Sequence, residues 1–266
     1  MVSGEWGVNR LVTVEDRSSD WPVTGIGNAW SREYFDGPFY LFATPADRPA
    51  ISLVFVQTQD GNTGAPNPED LGGGQTDKHL IYEGLSRVAA DAVLAGASSV
   101  GHSVFFTVNH PELAALRLEL GFTRHPAQMI ISNDGNFDLS ARVLTTPDAR
   151  VFLLAGDACT RKVAGQIAQR PWITLIPTRG DLPSTFARLR HEYGIGRISA
   201  VGGRMTATSL VDAGLVQDIY LTTSPIAGGE PNTPWYVGER SPRLETIVAK
   251  KEVTEAPIRF EHFAIR

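Results

Sequence analysis

From Pro49 onward the chain alternates short, wholly apolar runs with longer stretches whose apolar residues recur every three or four positions. The runs at residues 50–56, 92–95, 129–132, 151–155, 172–176 and 198–201 are too short for helices and lack polar alternation, which predicts strands buried on both faces. Between them, residues 76–90 predict a capped helix that turns Leu80, Ile81, Leu85, Val88 and Ala89 inward. Residues 111–120, 158–168 and 183–193 predict further helices, and another reaches Ala213. Strand and helix in alternation specify a mostly parallel sheet with right-handed crossovers and helices on both faces. After that the pattern changes: residues 218–223, 244–253 and 258–265 read as strands without intervening helices, so the α/β sheet is expected to end in antiparallel strands.

Residues 1–48 follow neither period. Trp6, Trp21, Trp30, Tyr34, Phe35 and Phe39 stand among glycines, prolines and acidic residues, too aromatic for a disordered tail. They predict an irregular extension packed on one domain formed by residues 49–266.

Composition narrows the class. A chain of 266 residues with 42% hydrophobic and 20% charged residues is long enough to bury a large core without covalent staples. One cysteine, Cys159, allows neither an internal disulfide nor a thiolate-rich zinc site. No apolar run approaches the length that crosses a bilayer, and the start lacks the apolar stretch of a signal peptide, so a cytoplasmic protein without membrane contact is expected. A net charge of -5 argues against nucleic acid as a partner.

In such sheets chemistry gathers at the carboxyl ends of the strands. Gly96-Ala97-Ser98-Ser99 follows the second strand, and Gly202-Gly203-Arg204-Met205-Thr206 leads from a strand into a helix. Both suit a pyrophosphate, because glycine lets backbone amides approach closely and a helix start adds a positive dipole end. Each alone could be a simple turn. Neither continues into the Lys-Ser or Lys-Thr of a nucleotide-phosphate loop, and Gly194-Ile195-Gly196 precedes a strand, which excludes a Rossmann fingerprint. Ser98 and Ser99 do not sit in Gly-x-Ser-x-Gly. The six histidines form no zinc motif, so no metal is expected. His79, early in the helix after Gly72–Gly74, reads either as a water-exposed helix residue or as a pocket residue. Asp60 in Thr58-Gln59-Asp60-Gly61 reads either as a turn or as a carboxylate tuned by burial beside substrate.

Three ordered blocks resemble one family. Pro49-Ala-Ile-Ser-Leu-Val-Phe-Val56 with Thr58-Gln-Asp-Gly61 is the first, and Arg87-Val-Ala-Ala-Asp91 through Gly96-Ala-Ser-Ser-Val100 is the second. The third joins Val201-Gly-Gly203, Leu210-Val-Asp-Ala-Gly-Leu-Val216 and Ser224-Pro-Ile-Ala-Gly-Gly229. Together they resemble the reductase domain of bifunctional riboflavin-biosynthesis deaminase-reductases. The resemblance implies a dihydrofolate-reductase-like fold, NADPH as hydride donor and a homodimer. It implies cofactor contacts at Gly96, Ala97, Ser98, Ser99, Ser132, Gly202, Gly203, Arg204, Met205 and Thr206; Arg161 and Lys162, near the start of the helix after residues 151–155, read either as solvated helix charges or as partners of a 2′-phosphate. On the substrate side it implies Thr58, Thr76 and His79, with Asp60 as proton donor or substrate anchor.

The chain also departs from the family. Val201 stands where the family often has Glu, and Gly101-His-Ser-Val-Phe-Phe106 replaces a charged loop, which predicts a weaker hold on a phosphorylated substrate and a preference for a less charged, aromatic one. The zinc signature of the deaminase half is missing. Hydride transfer to a C=N or C=O carbon of a heterocyclic or ribosylamino-pyrimidine-like molecule is the expected reaction. Dihydrofolate or pterin reduction, reduction of a specialised metabolite, and non-catalytic NADPH binding remain alternatives.

Overall fold

The computed structural model describes residues 6–65, 68–253 and 256–266. The apolar runs become β4 (Ala50–Gln57), β5 (Ala92–Gly96), β6 (Ala127–Ser132), β7 (Val151–Ala155), β8 (Ile173–Pro177) and β9 (Arg197–Ala200), each within two residues of expectation at its ends. With β10 (Val216–Thr223) they form seven parallel strands in the order β10-β4-β9-β5-β6-β7-β8. The expected antiparallel end begins one strand later than the sequence suggested. Strand β10 is parallel to β4, and only on its other edge do β12 (Ala256–Ile265) and then β11 (Leu244–Val253) run antiparallel.

Successive strand residues point to opposite faces, and this sorts the core into two layers. Val54, Val93, Ala95 and Leu153 pack with Leu80, Ile81 and Leu85 on one face. Leu53, Phe55, Leu94, Phe152 and Leu154 pack with Phe186, Leu189 and Leu210 on the other. Burying one such side chain contributes about 1.5–3 kcal/mol, so both helical layers are held by their apolar stripes. Leu80, Ile81 and Leu85 come from the helix after β4, and the other stripes from α3 (Pro111–Glu119), α4 (Arg142–Thr145), α5 (Asp157–Ile167), α6 (Leu182–Tyr193) and α7 (Arg204–Asp212). Among the described residues no helix is long and apolar enough to cross a membrane.

The amino-terminal segment is more regular than its sequence suggested. Residues Leu11–Asp16 form β1, which pairs with β11 and completes a ten-stranded sheet, while Val23–Ile26 and Phe39–Phe42 form the two-stranded β2–β3. Between these two lies α1 (Ala29–Phe35), closed at its start by a reciprocal Asn28–Ser31 capping box. Trp6 sets its ring against His79 and His110, and the Asn9 amide donates to Thr76 Oγ1, so this segment rests on the helix after β4.

That helix differs most from expectation. It starts as α2 (Gly74–Thr76) and continues over Asp77–Leu85 with π winding; the amide of Ser86 at its end donates to the carbonyl of Ile81, five residues back. No side chain caps its start, and Thr76, expected as the cap, is instead the acceptor for Asn9. Below its end lies Arg117 of α3, 1% exposed, which donates to the carbonyls of Arg87, Val88, Ala90 and Thr123. Three of these carbonyls lie in the turn that ends the helix, where the Arg87 carbonyl also accepts the Ala90 amide, and the guanidinium gathers them.

Candidate active site

Strand β9 lies between β4 and β5, so the strand order changes direction there and a crevice opens beyond the carboxyl ends. Both glycine loops meet in it. The Gly96 amide donates to the Gly202 carbonyl at 3.5 Å, and Ala97–Ser99 make one tight turn beside it. A Cβ on Gly96 would fall 2.6 Å from Thr206 Oγ1, so no other residue fits there without movement. Gly203 has φ +81°, a left-handed conformation costly for any branched residue, with Ser99 Oγ and Thr206 Oγ1 each 3.4 Å from where a Cβ would be. No side chain caps α7 at Gly203, which leaves its first amides for a ligand. Gly96, Ala97, Ser98, Ser99, Gly202, Gly203 and Thr206 are thus brought together as one cradle that a pyrophosphate fits.

On one side of the cradle a cleft of about 280 Å³ is lined by Ser132, Thr178, Gly180, Met205 and Thr206. Ser132 is buried, donating to Asp134 and accepting from the Gly135 amide, while Arg204 and Met205 are exposed at its rim. On the other side a cavity of about 390 Å³ opens at β4, lined by Val56, Gly73, Asp77, Tyr82, Glu83, Arg87 and Asn109 among others. Neighbouring strands lie about 4.8 Å apart, so the four spacings from β4 to β7 stretch roughly 19 Å. An extended ligand can lie across the cradle with one end in each hollow.

The β4 cavity is the charged one. Asp77 is 6% exposed, and Thr222 of β10 donates its hydroxyl to Asp77 Oδ1 at 2.5 Å. Burial pushes this carboxyl up to about 6, against the opposing pull of the Thr222 hydrogen bond and the Arg87 charge. Burial acts on Glu83 in the same sense, yet there it is outweighed by hydrogen bonds from His79 Nδ1, the His110 amide and Asn109 Nδ2, which hold the group below its ordinary value. Arg87 donates one bond to the Thr107 carbonyl while its Nε is buried without a partner. Its guanidinium lies over the rings of Tyr82 and Phe106. The cavity is lined by two cations that loop 101–106 lacks, Lys78 of the π-wound helix and Arg87 in the turn after it. The expectation of a less charged substrate considered the loop alone and did not include these two cations.

The four residues expected beside substrate are not among those lining the β4 cavity. Thr58 is buried in its turn, bonded to Asn62 and Gly228, and Thr76 holds Asn9. His79 is 2% exposed and paired with Glu83 at 3.0 Å, so the water-exposed reading fails. Asp60 is exposed and accepts the Gly228 amide with both oxygens, so the burial expected to tune it is absent. Asp77, Glu83 and Arg87, which line the cavity, were not singled out from the sequence. Their spacing was the available signal, because residues 77, 82 and 87 and residues 78 and 83 are five apart, the repeat that π winding brings to one side.

The fold is that of the dihydrofolate-reductase-like class of reductases. A family model described as the RibD C-terminal domain matches residues 49–256, and the chain belongs to that family. A 2,5-diamino-6-ribosylamino-4(3H)-pyrimidinone 5′-phosphate reductase of Methanothermobacter thermautotrophicus is 25% identical over 184 residues, 68% of this chain and 81% of that protein. The reductase of the same description from Archaeoglobus fulgidus is 21% identical over 70% of this chain and 85% of its own length. Among solved structures, a pyrimidine reductase-like protein from Corynebacterium diphtheriae superposes with a TM-score of 0.65 at 18% identity, covering 83% of this chain and 93% of that one. The Thermotoga maritima bifunctional deaminase-reductase gives 0.59 at 15% identity, and this chain, covered over 82%, spans 57% of it.

Proposed function

We propose that the protein reduces a ribosylamino-pyrimidine 5′-phosphate, in its open C=N form, to the ribitylamino product with NADPH. The observation that carries this reading is the glycine cradle between two hollows, one neutral and one holding Asp77, Glu83 and Arg87. When bound, NADPH supplies a hydride. The chain's own residues supply the rest: Gly96, Gly202, Gly203 and the start of α7 receive the pyrophosphate, and the β4 cavity holds the acceptor out of bulk water. Arg87 and Lys78 provide charged donors for the substrate phosphate that the neutral loop lacks. A cytoplasmic homodimer belongs to this reading, and light scattering of the purified protein tests the dimer.

Steady-state turnover of the phosphorylated and dephosphorylated pyrimidines with NADPH is the direct test. Preference for the phosphorylated substrate by roughly tenfold or more in kcat/KM is expected from one to two charged hydrogen bonds. Equal use of both, or turnover of dihydrofolate alone, rejects the reading.

Preference for NADPH over NADH is expected to involve Lys162 of α5. Its side chain passes the Gly135 turn that Ser132 anchors, with Cδ 3.4 Å from where a Gly135 Cβ would stand. Lys162→Ala should lower the NADPH-to-NADH preference by about tenfold, the effect of one charged hydrogen bond to a 2′-phosphate. An unchanged ratio of KM values would place the phosphate elsewhere, with exposed Arg161 the next residue to vary.

A further inference from the structure

Reduction of a C=N bond needs a proton as well as a hydride, and the β4 cavity offers six titratable side chains: Glu69, Asp77, Lys78, Tyr82, Glu83 and Arg87. Glu69 and Lys78 are exposed to water. Glu83 receives three hydrogen bonds that hold it as a carboxylate. Tyr82 is pushed up to about 12 by burial and by Asp77, too weak an acid for the task, and the Arg87 guanidinium is weaker as a proton source at neutral pH. Asp77 differs from all of these. It is buried, it touches the cavity, and its one hydrogen bond from a side chain comes from a neutral hydroxyl.

We infer that Asp77, as the neutral carboxylic acid, delivers the proton to the substrate nitrogen as the C=N bond is reduced; this rests on the function proposed above. With Thr222 donating to Oδ1, the acid proton belongs on Oδ2. The space beside Oδ2 is kept open by Gly73, where a Cβ would stand 2.9 Å from that oxygen. In the step a C–H bond forms at the imine carbon as hydride arrives from the reduced nicotinamide, which is oxidised by two electrons. The C=N π pair moves to nitrogen, the Asp77 O–H bond breaks and an N–H bond forms. Asp77 is left as a carboxylate, and water returns its proton before the next turnover. The neighbouring Arg87 stabilises that carboxylate after transfer.

The acid form dominates below about pH 6, so the rate that depends on it falls as pH rises through that value. Asp77→Asn should lower kcat by about 100-fold with NADPH affinity unchanged, and should abolish the limb near pH 6. Infrared difference spectra of the protein without ligands should show a carboxylic-acid band that titrates near pH 6 and disappears in Asp77→Asn. Folding separates a chemical from a structural loss. The raised value of Asp77 contributes stability that is fully present below the ordinary value of 3.8 and lost as pH rises through about 6, so Asp77→Asn should unfold no earlier than wild type at pH 8. An active wild type with Asp77→Asn unchanged in kcat and limb overturns the assignment, as does loss of the limb in Asp60→Asn alone. A wild type that reduces no pyrimidine overturns the proposed function, and the assignment falls with it, whatever the infrared titration shows.

Discussion

Arg117→Met should lower the unfolding free energy by about 4 kcal/mol, although Arg117 lies outside the cavity and methionine keeps much of its volume. Four carbonyls accept from this buried guanidinium, three of them in the turn that ends the π-wound helix. Leaving one buried acceptor without a donor costs about 1–3 kcal/mol, and water entering through the disturbed turn will recover only part of the sum. Burial already pulls the guanidinium down to about 10, a sign of how little solvent reaches it. For a chain of this size a loss of that order lowers the melting temperature by roughly 7 °C or more. Because Arg87 is one of the residues whose carbonyl is held, KM for substrate should rise as well. Calorimetry that finds wild-type stability would mean that the turn is held by its apolar contacts and not by these bonds.

Gly203→Val should weaken NADPH binding by about 1000-fold while leaving the protein folded. The residue has φ +81°, where a β-branched side chain is strained, and its side chain would enter the gap between Ser99 and Thr206, the proposed place of the pyrophosphate. A pyrophosphate accepts several charge-assisted bonds of about 1.5–3 kcal/mol each, so losing two accounts for three powers of ten. Gly203→Ala carries most of the backbone strain with less bulk and should fall between the two. Titration calorimetry together with circular dichroism checks both parts; full affinity in Gly203→Val would remove this loop from the cofactor site.

The parallel core was readable because strands covered on both faces leave continuous aliphatic runs, and runs such as Ile51–Val56 have few other uses. The cradle was readable for a related reason, since glycines at strand ends are visible one loop at a time. That the two loops touch is a fact of strand order, which no local pattern contains. The amino-terminal elements are only four to seven residues long, and their signals were small: Leu11-Val-Thr-Val alternates, and Asn28 with Ser31 spells a cap. The acid was missed for a different reason. Asp60 sits beside a recognised turn, whereas Asp77 derives its properties from Thr222, 145 positions away, and from being enclosed.

The wide winding of Asp77–Leu85 bears on how this site could be gained or lost in descent. In an α-helix, residues five apart are rotated by roughly 500°, which leaves them about 140° from alignment. Deleting one residue between Lys78 and Tyr82 would leave Asp77 and Arg87 nine apart, and tighter winding carried as far as Arg87 would then rotate them by roughly 900°, about half a turn from alignment, while most of the aliphatic stripe could still find the sheet. A lineage could thus discard the proposed arrangement by a single codon deletion and keep the fold. Relatives that have lost the extra residue are where altered chemistry on an intact scaffold should be sought first.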